Sequence, residues 1–248
     1  CRSLADAGLG GVQVYIGENL GSPGERVLKG MASELAEIPC ADLAVMLVLN
    51  PNSVNPFEPV RDEMLTRAKV PMTKEEVRWV SVARLGVQPG DTVWDVGAGT
   101  GAVTFELARK AMDGAVFAVE RNTEAIELIA QNRQKLGGFN VHIVQGHAPE
   151  VLADLPKPHC VFVGGSGGNM REIIEAALMK NPKARIAVNS IALETLQETQ
   201  RLFAEFGLQQ VEITQLSAAR GKSIGCYTMM TANNPVFILS GKGAKYGE

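Results

Sequence analysis

The chain has 248 residues, of which 46% are hydrophobic, and a formal net charge of −3. This length allows one large domain or two small ones, with enough apolar residues for a real core. The near-neutral balance argues against a nucleic-acid-binding protein, which usually carries a basic face. The apolar runs are all far shorter than the roughly 18 residues of a membrane span, so we expect neither a nucleic-acid nor a membrane partner.

Cysteines and histidines are spaced in no pattern typical of a disulfide framework or a metal site. They are Cys1, Cys40, Cys160, Cys226, His142, His147 and His159. We therefore predict free thiols, no metal, and a reducing cytoplasmic location. No signal peptide is recognisable, and because the chain begins at Cys1 rather than Met we expect a fragment of a longer protein.

Residues 1–56 are predicted to form a small α/β fragment. Two apolar segments, Val12–Ile16 and the buried Ala41–Leu49, are predicted strands. Between them, Ser22 and Glu25 have the spacing of a capping box, which predicts a helix over Pro23–Ala36. Two strands and one helix bury too little surface to fold alone, so this fragment should belong to something larger.

A turn-rich stretch over Pro51–Pro56 predicts a domain boundary, followed by a linker and site-entry segment over residues 57–73. From 74 to 248 a second domain is expected, because strands and helices alternate there as in a parallel, doubly wound sheet. The predicted helices are Lys74–Leu85, the glycine turn to about Met112, Thr123–Leu136, 149–154, Met170–Leu178 and Leu193–Phe206. The predicted parallel strands are Thr92–Val96, Ala115–Val119, Val141–Val144, Cys160–Val163 and Ala184–Asn189. Three closing strands without helices between them, Leu208–Leu216, Gly225–Thr231 and Val236–Leu239, predict an antiparallel edge.

The stretch Trp94–Ala102, WDVGAGTGA, predicts a nucleotide-like ligand. Its glycines follow a strand and open a helix, where backbone amides can meet a ligand. They fit both the dinucleotide fingerprint and an S-adenosylmethionine turn. Asp95 favours S-adenosylmethionine, because a carboxylate there would repel a pyrophosphate but attract a cationic ligand. At neighbouring strand ends, Glu120 is placed to accept ribose hydroxyls and Gly146-His147-Ala148 to border an adenine.

A second glycine-rich turn, Gly164-Gly165-Ser166-Gly167-Gly168, follows the predicted strand Cys160–Val163. Its backbone amides are typical of an anion cradle, and its missing side chains let a large flat substrate approach closely. A flexible loop is the alternative interpretation.

These segments together resemble the CbiT family, the decarboxylating methyltransferases of cobalamin biosynthesis, over residues 61–248. The matching stretches are Pro71–Arg78 (PMTKEEVR), Trp94–Gly101, Val163–Gly168, Asn189–Leu196 and Asn234–Val236. The resemblance implies a class I, Rossmann-like S-adenosylmethionine-dependent methyltransferase fold. It also implies methylation of carbon 15 of a precorrin with loss of carbon dioxide from the ring C acetate, and a homotetramer.

The resemblance further implies a set of site residues. The cofactor contacts it implies are Thr73, Gly97, Ala98, Gly99, Thr100, Gly101, Glu120 and Ala148. Because the substrate carries several carboxylates, the candidate substrate residues are Gly165, Ser166, Gly167, Gly168 and Arg220, with Lys222 beside it. Arg220 to Lys222 would alternatively be a hairpin tip. His147 and His159 stand where relatives often have acids, and we assign no indispensable acid or base, since alignment and the conjugated macrocycle supply the chemistry.

Residues 1–56 resemble the C-terminal part of a CbiE-type tetrapyrrole methylase, on the stretch Glu18–Arg26, ENLGSPGER. The chain would then be a truncated fusion of the precorrin-6Y C(5,15)-methyltransferase (decarboxylating) type, with its first methylase part inactive.

Three other functions stay open at this point. The first is a methyltransferase acting on RNA nitrogen or on a small molecule, although the residues after Val163 differ from the N/D-P-P-aromatic motif of nitrogen-directed enzymes. The second is a non-catalytic module that binds S-adenosylmethionine as a structural ligand. The third is a nicotinamide-dependent dehydrogenase.

Overall fold

The structure, a computed structural model, describes residues 1–51, 55 and 58–244. It divides into a small unit, Cys1–Glu58 with Arg133–Phe139, and a large unit, Pro59–Asn132 with Asn140–Glu248. Much of the predicted break at Pro51–Pro56 lies outside the described residues, as do residues 245–248 of the predicted second domain. The proposed domain boundaries therefore stay a prediction.

The small unit contains a three-stranded antiparallel sheet in the order β2-β1-β3. A single helical turn, α1 (Arg2–Leu4), and the irregular helical segment Ala5–Leu9 precede it. Its strands are β1 (Gln13–Glu18), β2 (Arg26–Met31) and β3 (Ala44–Leu49). Only β1 alternates buried and half-buried side chains, whereas five of the six residues of β3 are exposed. The prediction of a buried strand over Ala41–Leu49 is therefore right about the strand and wrong about its burial.

The predicted helix over Pro23–Ala36 is wrong, because β2 (Arg26–Met31) occupies its middle. Ser22 and Glu25 do not cap a helix but close a turn, in which the Gly21 N–H donates to the Glu25 carboxylate at 2.7 Å. Arg26 then forms a two-point ion pair with Glu18 of β1, at 2.7 and 2.8 Å. Cross-strand pairing stabilises the extended chain more than the local helical spacing does.

The large unit is built on a seven-stranded sheet in the order β6-β5-β4-β7-β8-β12-β9. Its strands are β4 (Thr92–Val96), β5 (Ala115–Glu120), β6 (Val141–Gln145), β7 (Cys160–Val163), β8 (Arg185–Ser190), β9 (Gln209–Leu216) and β12 (Val236–Lys242). Its helices are α2 (Glu75–Leu85), α3 (Ala102–Lys110), α4 (Thr123–Leu136, of which residues 133–136 are assigned to the small unit), α5 (Met170–Lys180) and α6 (Leu193–Glu205), with short 3-10 turns at Asp62–Met64 and Glu150–Asp154. These bounds agree closely with the predicted elements.

Strands β4 to β8 pair in parallel, whereas β12 runs antiparallel to both β8 and β9. Strands β5 and β6 are added on one side of β4, and β7 and β8 on the other, so the strand order reverses between β4 and β7. Ligands bind at such a point, at the carboxyl edge of open α/β sheets. The core between sheet and helices is apolar, with Trp94, Phe162 and Phe203 almost fully buried. This is the class I, Rossmann-like methyltransferase fold with an antiparallel edge, as predicted.

Outside this sheet, β10 (Ala219–Ile224) and β11 (Tyr227–Ala232) form a separate antiparallel hairpin. From the sequence, β10 was missed and a hairpin tip over Arg220 to Lys222 was only an alternative interpretation. The strand predicted over Gly225–Thr231 exists as β11, but the expectation that it joins the antiparallel edge of the large sheet is wrong. The hairpin tip lies instead at Gly225 and Cys226, where Gly225 has a φ of +62°. Only glycine adopts that backbone conformation without strain.

Among the described residues, no helix combines the length and the apolar composition that crossing a bilayer requires.

Candidate active site

A cleft of about 820 Å³ opens at the carboxyl edge of the central strands, entirely within the large unit. This volume lies in the range of small-molecule sites. The predicted cofactor residues that line it are Thr73, Gly97, Ala98, Gly99, Thr100, Glu120 and Ala148, and the predicted substrate residues that line it are Gly165, Ser166 and Gly167. Gly101, Gly168 and Arg220 are not among the lining residues.

The glycine turn after β4 has the backbone of a ligand cradle. Gly97, Gly99 and Gly101 have φ values of +74°, +57° and +78°, which side-chain-bearing residues rarely adopt. A Cβ atom on Gly101 would lie 2.8 Å from the Phe105 ring, so this glycine allows the turn to pack on α3. Gly101 therefore shapes the cradle from behind, and Gly97 to Thr100 form its surface.

Glu120 is fixed at the end of β5 by three backbone amides. The Gly99 N–H donates to one carboxylate oxygen at 2.9 Å, and the N–H groups of Arg121 and Asn122 donate to the other at 2.8 and 2.9 Å. A carboxylate has about four lone-pair positions, so it retains acceptor capacity toward the cleft. The structure thus joins the glycine turn and the predicted ribose acceptor directly.

Asp95 is the buried acid beneath the glycine turn, at 1% exposure. The Thr104 hydroxyl donates to its Oδ2 at 2.5 Å, and its Oδ1 has no partner among the described residues. Burial is the main cause that raises the pKa of Asp95 to about 7, and the negative charge of Glu120 adds to the shift. The buried Thr100 hydroxyl nearby in sequence also has no partner among the described residues.

The entry segment before α2 is held by a buried arginine. Arg78 is fully buried and donates to the carbonyl oxygens of Thr73 and Val60, each at 2.6 Å, and to the Asp62 carboxylate at 2.7 Å. Arg78 thereby places Thr73 on the cleft wall. The sequence analysis noted Arg78 only as part of the PMTKEEVR stretch.

The adenine-side residues follow β6. The carbonyl oxygen of Ala148 accepts a hydrogen bond from the Asn169 side chain at 3.0 Å, which ties this turn to the start of α5. His147 lines the cleft, and its Nδ1 lies 3.1 Å from the Glu150 carboxylate. His159 lies elsewhere, at the amino end of β7, where its Nδ1 accepts from the Thr92 N–H.

The second glycine-rich loop packs against the first. A Cβ atom on Gly97 would lie 2.6 Å from the Gly165 carbonyl oxygen and 2.8 Å from its nitrogen. On the open side, a Cβ atom on Gly167 would lie 3.8 Å from both the Arg121 guanidinium and His147 Nε2. The predicted cofactor and substrate loops are therefore direct neighbours, with a cation beside them.

Arg220 is not among the residues that line the cleft, contrary to the expectation that it contacts the substrate. It forms a two-point ion pair with Glu76, both contacts at 2.7 Å, and further ion pairs with Asp62 at 3.0 Å and Glu75 at 3.3 Å. These carboxylates raise its pKa, with Glu76 the largest cause. In this structure, Arg220 links β10 to the start of α2.

Several polar residues of the cleft wall had no predicted role, among them Lys74, Arg121 and Asn189. Lys74 and Asn189 lie inside stretches that carry the family resemblance, and Arg121 directly follows Glu120. Strand-end positions of a parallel sheet were the available signal. Among the described residues, no group of three or more His, Cys, Asp or Glu side chains is placed to hold a metal ion, and all four cysteines are free.

Comparison with known families identifies this arrangement. The precorrin methyltransferase domain matches residues 66–242. The chain belongs to this family. A relative from Pyrobaculum calidifontis, named as a probable cobalt-precorrin-6B C(15)-methyltransferase (decarboxylating), is 43% identical over 184 residues, which cover 73% of this chain and 94% of the relative.

Two solved structures are similar to this precorrin methyltransferase family member. A precorrin-6Y C5,15-methyltransferase from Geobacter metallireducens is 35% identical, with a TM-score of 0.70, over 74% of this chain and 97% of that one. A precorrin 8W decarboxylase from Methanobacterium thermoautotrophicum is 38% identical, with a TM-score of 0.69, over 75% of this chain and 100% of that one. Family and fold confirm the prediction of an S-adenosylmethionine-dependent methyltransferase of the CbiT type over the large unit.

Proposed function

We propose that the chain methylates carbon 15 of a precorrin and removes carbon dioxide from the ring C acetate arm, with S-adenosylmethionine as methyl donor. The observation that carries this proposal is the similarity to the Pyrobaculum calidifontis relative named as a probable cobalt-precorrin-6B C(15)-methyltransferase (decarboxylating). The chain is 43% identical to it over 94% of the relative's length. The cleft, lined by both glycine-rich loops, supports it.

The residues that line the cleft fit S-adenosylmethionine, the methyl donor. The glycines at positive φ form a cradle, and two buried polar atoms, Asp95 Oδ1 and Thr100 Oγ1, have no partner among the described residues. We infer that Gly97 to Thr100, Glu120, Thr73 and Ala148 hold it, with the Glu120 carboxylate accepting the ribose hydroxyls. A cationic ligand near Asp95 would lower the pKa of that carboxyl group and so favour its charged form.

The chain's own residues then bind and align the substrate. When bound, S-adenosylmethionine supplies an electrophilic methyl group. The Ser166 and Gly167 amides and the Arg121 and Lys74 side chains receive the carboxylates of the substrate, because cations and N–H groups that face the cleft both bind anions. The N–H groups of Gly165 and Gly168 instead donate to the Val96 carbonyl oxygen and to Ser166 Oγ, each at 3.4 Å. Close packing of Gly97 on Gly165 brings the two ligand loops together, and such alignment lowers the entropic part of the barrier.

We further propose that Arg220 acts by position and not by contact with the substrate. It is paired with Glu76, whose neighbour Glu75 begins α2 directly after Thr73 and Lys74. Through this pair the β10–β11 hairpin fixes the start of α2, and α2 in turn fixes the cleft entrance. A homotetramer and a cytoplasmic location stay predictions.

For the small unit, we propose the closing part of a CbiE-type tetrapyrrole methylase, without activity at carbon 5. The exposed apolar side chains of β3 and of the residue before it support an incomplete unit, since Leu43, Val45 and Leu47 are 73%, 65% and 57% exposed. A folded domain rarely leaves such a contiguous patch uncovered.

Mass spectrometry of a precorrin-6B incubated with this chain and S-adenosylmethionine tests the proposed reaction and the proposed inactivity of the small unit. We expect a single added methyl and a single lost carbon dioxide. A second methyl would contradict the proposed inactivity of the small unit. Binding of S-adenosylhomocysteine without turnover would favour a structural ligand site instead.

A further inference from the structure

Asn189 lies near the end of β8 and lines the cleft. In the sheet, β7 separates β8 from β4, the strand that precedes the glycine turn. Asn189 Oδ1 accepts a hydrogen bond from the Ser81 hydroxyl of α2 at 2.9 Å. Its Nδ2 is buried and has no partner among the described residues. An amide donor buried without a partner costs about 1–3 kcal/mol, so a ligand group that accepts from it is expected.

Strand register places Asn189 on the same face of the sheet as Asp95. Asp95 is aligned with Phe162 of β7, and Phe162 is aligned with Ala187 of β8. Asn189 follows Ala187 by two residues, and side chains two apart on a strand share a face. The two polar groups therefore lie on one wall, separated by β7, with Asp95 at the proposed donor end.

Around Asn189 the charge of the cleft differs from that around Gly167. The described lining residues of segments 189–195 and 233–236 carry only amide, hydroxyl and apolar groups: Ser190, Ile191, Ala192, Thr195, Asn233 and Asn234. The lining cations Lys74 and Arg121 belong to other segments. A carboxylate that accepts from the Asn189 amide is therefore oriented by a neutral donor, and neither of these two segments contributes a cation to the cleft lining.

That distinction matters for loss of carbon dioxide. A guanidinium or ammonium stabilises the carboxylate that must disappear, whereas a dry, neutral surface does not. In the step itself the carbon–carbon bond to the carboxylate breaks and its electron pair enters the conjugated macrocycle. Carbon dioxide leaves, and the former acetate carbon takes one proton from solvent.

We infer that the Asn189 side-chain amide, held by Ser81, donates to the carboxylate that is lost and fixes the acetate arm over the neutral wall. This inference rests on the proposed function and deepens it. Ser81 is a positioning residue. Its Oγ lies 2.7 Å from the Val77 carbonyl oxygen and 2.9 Å from Asn189 Oδ1, so its single hydrogen is shared between the two acceptors and ties the amide to α2.

The test follows methylation and decarboxylation separately by mass spectrometry with a precorrin-6B and S-adenosylmethionine. Asn189→Ala removes the amide N–H donor. Asn189→Asp replaces the amide by a carboxylate of the same shape, which only accepts hydrogen bonds and carries the same charge as the substrate carboxylate. We expect carbon dioxide loss per methyl transferred to fall roughly tenfold in Asn189→Ala and further in Asn189→Asp. A methylated product that retains its carboxylate should accumulate.

Ser81→Ala should show a smaller loss in the same direction, and Gln215→Glu on exposed β9 controls for added negative charge. Calorimetric binding of S-adenosylhomocysteine and melting temperature should stay near wild type in each variant. If the Asn189 variants lose methylation and decarboxylation equally, or if the carbon dioxide lost per methyl transferred is unchanged, the inference is overturned while the proposed function stands. Wild-type chain that binds S-adenosylhomocysteine but methylates no precorrin would overturn the proposed function and this inference together.

Discussion

Gly97 and Gly165 lie in direct backbone contact, so the loop after β4 and the loop after β7 share one wall. The clearance is smaller than a methyl group, since a Cβ atom on Gly97 would reach within 2.6 Å of the Gly165 carbonyl oxygen. Glycine is required here both for this space and for the positive φ. The contact couples the proposed donor site to the proposed substrate loop.

Gly97→Ala should therefore disturb both ligands at once. The added methyl must move Gly165, which is backbone and cannot rotate away. We expect S-adenosylhomocysteine binding to weaken by at least about tenfold and methyl transfer to fall further, since small misplacement is costly for alignment. Isothermal calorimetry and initial rates measure the two effects. Gly90→Ala is the matched control, because nothing lies within 4 Å of a Cβ there; equal effects of the two substitutions would contradict the account.

Asp95 makes ligand binding depend on pH. Its folded pKa of about 7 lies above the ordinary 3.8, so the ligand-free protein loses stability as pH rises from about 4 to 7. A cationic ligand lowers that pKa and releases a proton on binding. We expect the affinity for S-adenosylmethionine, which carries both a sulfonium and an ammonium cation, to rise with pH up to about 7 and then level off.

Asp95→Asn should remove this dependence. The amide oxygen still accepts from Thr104, so the fold is preserved, and no buried charge forms at pH 8. Thermal melting of the ligand-free variant at pH 8 should lie above wild type, whereas its ligand affinity should be lower and flat with pH. A wild-type affinity that does not change between pH 5 and 8, to about twofold, would count against a charged Asp95 at the ligand.

Glu120→Gln tests the proposed ribose acceptor. The substitution replaces an anion that accepts from three backbone N–H groups by a neutral amide that cannot satisfy all of them. We expect S-adenosylhomocysteine binding to weaken roughly ten- to a hundredfold, as for loss of charged hydrogen bonds. Glu124→Gln, exposed on α4, is the control and should bind normally.

Arg220→Ala separates positioning from substrate contact. Because Arg220 pairs with carboxylates and is 39% exposed in its side chain, its loss should cost about 1 kcal/mol of unfolding free energy and lower kcat. KM for the precorrin should change by less than about threefold. A rise in KM of tenfold or more, with stability unchanged, would restore Arg220 as a direct substrate ligand. Lys222→Ala on the same strand should affect neither quantity.

Sequence periodicity predicted the large unit well because its strands are continuous apolar runs bounded by glycine turns. Cys160–Val163 and Thr123–Leu136 have the predicted bounds. The small unit was predicted less well, since the spacing of Val27, Leu28 and Met31 fits a helix while the Arg26–Glu18 pair fixes a strand. That pair joins residues from two strands, which local spacing does not detect.

The cleft was predicted where function depends on backbone, as at Gly97 and Gly165. It was not predicted where function depends on tertiary partners. Asn189 resembles an ordinary strand residue until Ser81 of α2 is seen to hold one end of its amide and leave the other unpaired. Arg220 resembled an available cation until Glu76 and Asp62, more than a hundred residues away, were seen to bind it.

The most direct test of the central claim is the mass spectrum of a precorrin-6B after incubation with this chain and S-adenosylmethionine. The account predicts a product with one methyl added and one carbon dioxide lost, formed together with S-adenosylhomocysteine. An unchanged precorrin, with S-adenosylhomocysteine still binding in the cleft, would contradict it.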